Sequence, residues 1–171
     1  MENNGKLITV IVGASIGVFL ILLLLVSGPF AFIQPGFRGV EVNQGRVTGT
    51  IYPEGWYFYN SITKDIVVFD TRTHTDEADA AAASNDQQDV KVKVAITYRL
   101  NDAKVAEVLR TIGKGEDVKT KIIDPQTQET VKAAVAKHNI QEILNKRVEI
   151  KQQIFEDLFG RLDKYGVVLQ E

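Results

Sequence analysis

The stretch FDTRTHTDEADAAAASND, Phe69 to Asp86, packs His74, Asp76, Glu77, Asp79 and Asp86 into a short span. Imidazole and carboxylate are the donors of a catalytic zinc site or of an acid/base pair. Zinc needs three or four converging ligands. On an extended chain His74 and Asp76 point to one side and Glu77 to the other. The second histidine, His138, is remote in sequence. A calcium loop of the EF-hand type requires a central glycine, and DEADAAAASND has none. The stretch therefore reads as the end of one strand, a polar crossover and a small-residue strand leading into the SND turn. No metal, cofactor or catalytic residue is expected. The competing reading is a membrane-tethered hydrolase or metal enzyme that uses the His74 region.

Other chemistry finds less support. Ser61 and Ser84 are the serines outside the N-terminal apolar segment, and neither lies in a Gly-x-Ser-x-Gly elbow. A Walker loop and a dinucleotide fingerprint are absent, and GKGED lacks the glycine spacing of a phosphate cradle. There are no cysteines, which removes disulfide and thiolate chemistry. The net charge is −2, and lysine and arginine form no stripe interleaved with aromatics, so no nucleic-acid partner is expected.

The elements that would position these residues begin with LITVIVGASIGVFLILLLLVS, Leu7 to Ser27, a run without charge or proline. At about 1.5 Å per residue it covers roughly 30 Å, the depth of a bilayer core. It predicts a single N-terminal transmembrane helix after a tail over residues 1–6. Gly13 and Gly17 give it a small-xxx-small face on which neighbouring helices could pack. Lys6 on one side and Arg38 and Arg46 on the other leave the sidedness of the following domain open. Residues 28–37 contain Gly28, Pro29, Pro35 and Gly36, which forbid a continuing helix, yet Phe30, Phe32 and Phe37 stay apolar. This segment suits a chain leaving the bilayer along its surface. Trp56, Tyr57, Phe58 and Tyr59 form a second aromatic block, which suits either a membrane–water boundary or a sheet core.

Alternating patterns then predict antiparallel strands over GVEVN, RVTGTIY, KDIVVFDTRTH and QDVKVKVAITYRL, with a hairpin turn at NQG. After Asn101 the period becomes helical. Asn101 or Asp102 caps a first helix that Gly113 ends. Asp124 caps a second, with Pro125 at its first position. The Asn139/Glu142 pair starts a long third helix to about Lys164, with Ile140, Ile143, Leu144, Ile154, Phe155, Leu158, Phe159 and Leu162 inward. YGVVL begins a last strand. The fold class is α+β on a membrane stalk, divided into a strand-rich part at 38–100 and a helix-rich part at 101–171. Ala80, Ala81, Ala82 and Ala83 suggest close packing against a neighbouring copy. Arg147, Glu149, Lys151 and Glu156 are further candidates for contacts between copies, or a plain solvated face.

PGFRGVEVNQGRVTGTIYPEGWYFYN, VVFDTRTHT, SNDQQDVKVKVAITYRLN and YGVVL together resemble the prohibitin-homology or Band 7 family of stomatins, prohibitins and flotillins, the prohibitin-type members above all. The likeness runs from about Phe32 to Glu171. It implies a two-part α+β domain behind a membrane anchor. It also implies a scaffold that assembles with itself or a paralogue into large rings or cages and organises membrane patches. Several family members associate with membrane-bound AAA+ proteases and limit their access to substrates. No catalytic residue is implied. Ser61-Ile62 stands where the family often has proline. The family's coiled coil, which closes the assembly, is absent from this chain: no heptad run is reached before Glu171.

Overall fold

The computed structural model describes residues 11–19, 21–22 and 30–170. Residues 11–19 and 21–22 are helical. Ile11, Ile16, Val18, Phe19 and Ile21 all stand exposed, and a side chain at Gly13 or Gly17 would meet nothing within 4 Å. The expected membrane span at 7–27 includes residues 7–10, 20 and 23–27, which lie outside the described residues. Among the described residues no helix is long and apolar enough to cross a membrane.

The remaining chain builds three antiparallel sheets, where the alternation by itself suggested a single run of strands. The first is a two-stranded ribbon of β1 (Phe30–Ile33) and β4 (Gly55–Phe58). The second has the order β3-β2-β5, from β2 (Phe37–Asn43), β3 (Arg46–Tyr52) and β5 (Lys64–Asp70). Its β2–β3 hairpin turns at Gln44 and Gly45, both at positive φ (49° and 80°), as the NQG signal predicts. The third has the order β6-β7-β8, from β6 (His74–Ala83), β7 (Asp89–Leu100) and β8 (Val167–Gln170). The crossover before β6 is only Thr71–Thr73. The acidic stretch from His74 onward is itself strand, paired with β7 from His74↔Tyr98 to Ala83↔Asp89.

Helix α1 (Val105–Thr111) packs on β3 and β2. Neither Asn101 nor Asp102 is its cap. Asn101 Oδ1 accepts from Ala103 N, and the helix opens after Lys104. Gly113, at φ +125°, follows its end as expected. Asp124 does not cap a separate helix either. Helix α2 (Gly115–Val118) runs through a widened π-type turn, Lys119–Ile123, straight into α3 (Asp124–Ala136). That turn ends two residues before Pro125, whose ring and missing N–H disrupt ordinary helical bonding to the preceding turn.

The predicted third helix is two. Asn139 and Glu142 form a reciprocal capping box for α4 (Ile140–Asn145), with Glu142 N donating to Asn139 Oδ1 at 2.8 Å. Lys146, at φ −109° and ψ 30°, then breaks the helix before α5 (Arg147–Leu162). The break changes the helical phase. Leu144 turns out to solvent, Phe159 is also exposed, and Ile150 takes an inward position instead. The main core lies where α1, α2 and α5 meet the sheets, around Phe69, Ile96, Val108, Leu158 and Leu162. A smaller cluster places α3 on β6 through Val131, Val135 and Ala80.

Candidate functional site

The β1–β4 ribbon carries the most unusual surface among the described residues. Phe30 lies opposite Phe58 and Phe32 opposite Trp56. Side chains two apart on a strand share a face, so all four aromatics stand on one side. The ring centroids of the two cross-strand pairs are 5.3 and 4.8 Å apart. The rings nonetheless face outward: Phe30 is 54%, Phe32 51%, Trp56 75% and Phe58 77% exposed. Isolated exposed apolar residues are ordinary, but a contiguous aromatic face marks a contact surface.

The other face of the ribbon is fixed to the second sheet. Ile33 is fully buried and occupies the space beside Gly39, where a Cβ would lie 2.5 Å from Ile33 Cδ1 and 2.7 Å from Ile66 Cγ2. Tyr57 packs against Tyr52, with ring centroids 4.8 Å apart and the planes tilted by 51°. Tyr52 Oη donates to Glu41 Oε2 at 2.6 Å, and Lys64 Nζ donates to the same oxygen at 2.9 Å. Glu41 is thereby a buried carboxylate with a hydroxyl and a cation as partners, and these hold its pKa below the usual range.

Of the seven residues expected at a membrane surface, the structure brings four together. Tyr57 points to the opposite face of the ribbon, and Tyr59 is half-buried past the end of β4. Phe37 is covered by Arg72, whose guanidinium lies 4.7 Å from the ring centroid. Ile62, in the turn after the ribbon, is a further exposed apolar side chain outside those seven.

The contact candidates on β6 separate by strand alternation. Ala80 is 3% exposed and packs with Val131 and Val135 of α3, so its small side chain serves the chain's own interior and not a neighbouring copy. Ala82 is partly buried on the same side, while Ala81 and Ala83 face outward. Arg147, Glu149, Lys151 and Glu156 are all exposed on α5.

The His74 region disperses its carboxylates. His74 Nε2 lies 3.4 Å from Asp70 Oδ2, but Asp70 is held by Arg72, with Nη2 to Oδ2 at 2.6 Å and Nε to Oδ1 at 2.9 Å. Asp76 accepts from Lys119 Nζ at 2.8 Å and from Tyr98 Oη at 2.8 Å. Asp79 faces Lys93, and Asp86 accepts from Ser84 Oγ. Among the described residues no three histidine, aspartate or glutamate side chains converge as a metal would require. The hydrogen bonds from Arg72 lower the Asp70 pKa to about 2. Lys119 likewise holds Asp76 below its ordinary value, and burial pushes the Tyr98 hydroxyl up.

These lowered carboxylates set an acid limit. A carboxylate with a folded pKa below its unfolded one contributes stability above the unfolded value and loses it as pH falls through the folded one. For Asp70 that window runs from about 4 down to about 2, and Glu41 and Asp76 act in the same direction. Thermal unfolding followed by circular dichroism is expected to show a melting temperature that falls steadily below about pH 4. In Asp70→Asn the same descent should be shallower.

Comparison with known proteins agrees with this architecture. Residues 31–171 match the SPFH domain / Band 7 family. Prohibitin 1 of Gallus gallus is 27% identical over 145 residues, covering 85% of this chain and 50% of the relative. Prohibitin-7, mitochondrial, of Arabidopsis thaliana is 28% identical over 144 residues, covering 81% and 50%. Prohibitin-2, mitochondrial, of the same plant is 25% identical over 142 residues, covering 81% and 48%. The chain thus spans about half the length of the curated relatives it matches. With a match over nearly the whole folded part, and with prohibitins as its relatives, the chain belongs to the SPFH domain / Band 7 family as a prohibitin-type member.

Proposed function

We propose that this chain is a membrane-anchored scaffold whose folded domain lies against the bilayer through the aromatic face of the β1–β4 ribbon. The observation that carries the reading is the four-ring face of Phe30, Phe32, Trp56 and Phe58. It begins a few residues after an apolar run long enough to cross a bilayer, Leu7–Ser27. Aromatic side chains are favoured at the headgroup level, where an apolar ring can sit beside water. Gly13 and Gly17 then offer a face for lateral packing of anchors, and the charged surface of α5 offers one between domains. Copies of this chain, or this chain and a paralogue, assemble on the membrane into a ring that organises a membrane patch. The family likeness supports a membrane-bound AAA+ protease as the client whose substrate access the assembly limits.

Reconstitution into vesicles tests the reading. Trp56 is the only tryptophan, so its emission reports the ribbon alone. Lipid-borne quenchers are expected to quench it, and cross-linking in the same vesicles should give a ladder of many copies. Unquenched emission together with a single monomeric band would overturn both parts. Quenching without a ladder would leave a membrane-bound monomer and remove the scaffold.

A further inference from the structure

Among the described residues one edge of the third sheet is covered only in part. Strand β7 is paired with β6 over the ten residues Asp89 to Tyr98, but β8 covers only Thr97 to Leu100 of its other edge. From Asp89 to Ile96 no strand among the described residues lies on that edge. An edge strand turns the N–H and C=O groups of alternate residues outward, ready to pair with another chain. Beside this edge, α4 and α5 form the opposite wall of a groove of about 880 Å³. Val90, Val92 and Val94 line one side, and Ile143, Ile154 and Phe155 the other. These side chains are only partly buried.

The charge around the groove has one sign. Lys91 and Lys93 project from the alternate positions of β7, and Arg147 and Lys151 stand on the helical wall. Among the described residues the one carboxylate paired to any of these four, Asp79, is 3.7 Å from Lys93 with both side chains largely exposed, a weak contact.

We infer that this edge is a strand-addition site for an extended peptide segment, apolar at alternate positions and acidic between them, running on in the line of β8. The register follows from the pairing of Gln170 with Thr97. Beyond the chain's own residues, an added strand lies opposite Ala95, Val94, Lys93, Val92, Lys91 and Val90 in turn. Those opposite Val94, Val92 and Val90 face the groove and must be apolar. Those opposite Lys93 and Lys91 lie on the other face and are best acidic, since directly opposed unlike charges stabilise and like charges repel. Main-chain hydrogen bonds supply the affinity, and the alternation supplies the selection. The site uses neither the ribbon nor the anchor, so it stands apart from the membrane reading.

The test uses the 171-residue chain in lipid nanodiscs and a capped peptide, Thr-Val-Glu-Ile-Glu-Val. Calorimetry is expected to show saturable binding. Amide exchange should slow about tenfold or more at alternate residues of Asp89–Ile96, as strand pairing requires. The double variant Lys91→Glu, Lys93→Glu, both at exposed positions, should weaken binding about tenfold. A peptide with lysine in place of its glutamates should bind that variant better than the unaltered chain. Four results would overturn the proposal: no saturable binding, binding without protection on β7, affinity indifferent to the charge reversals, or self-association through this edge that the peptide does not displace.

Discussion

The double substitution Trp56→Ala, Phe58→Ala is expected to free the ribbon from a lipid surface while the domain stays folded. Each aromatic side chain offers about 150–250 Å². Immersion of only half of one ring system is worth about 2 kcal/mol at about 25 cal/mol/Å². The pair then amounts to about 4 kcal/mol, near a thousandfold in the partition of the ribbon between lipid and water. The effect on folding is smaller, because both rings are already solvent-exposed in the folded chain. What the fold loses is the two cross-strand ring contacts, about 0.5–1.5 kcal/mol each. The absence of cysteine makes Ser61→Cys a unique labelling position just past the ribbon. A polarity-sensitive dye there should shift to longer wavelength in the double variant, with a melting temperature lowered by roughly 3–9 °C. A dye that stays in an apolar setting would mean the ribbon does not touch lipid through these rings.

Ile33→Ala is expected to have the opposite signature. Ile33 is fully buried and is the side chain that fills the space left by Gly39. Truncating such a residue removes transfer energy and leaves a cavity, typically about 2–5 kcal/mol. For a domain of this size that lowers the melting temperature by roughly 5–15 °C. The loss is local before it is global. β1 is a four-residue strand in a two-stranded sheet, and such a ribbon has little stability of its own. Amide exchange in Phe30–Ile33 should therefore accelerate more than exchange in β7. Uniform acceleration across the domain would show that the ribbon is not separately pinned at this point.

The two variants divide what the sequence makes visible from what it hides. Alternation in QDVKVKVAITYRL announces β7 and its buried face, and the family signatures announce the domain, because both are local in the chain. Which aromatics share a face is not local. It follows from the pairing of β1 with β4, whose partners lie more than twenty residues apart. GPFAFIQPGF carries too few alternations to mark β1 as a strand. The alanines show the same limit: small side chains mark close packing, but only the placement of α3 over β6 says that Ala80 packs inward against the chain itself while Ala81 and Ala83 face outward. The His74 cluster reads as reactive by composition alone. Its true character lies in Arg72 and Lys119, and the second of these arrives from a helix more than forty residues on.

The widened turn at Lys119–Ile123 has a consequence for how this chain tolerates insertion and loss. Val118 and Ile123 are both buried though five residues apart. In a regular helix that spacing separates two side chains by about 140° around the axis. The turn acts as a phase shift, setting the angle between the face that α2 presents to the core and the face that α3 lays on β6. Deleting one residue there would leave both halves good helices, yet rotate one against the other by about 100°. The chain's length at this point is thus constrained more tightly than its composition: a change of residue type would be borne more easily than a change of residue number.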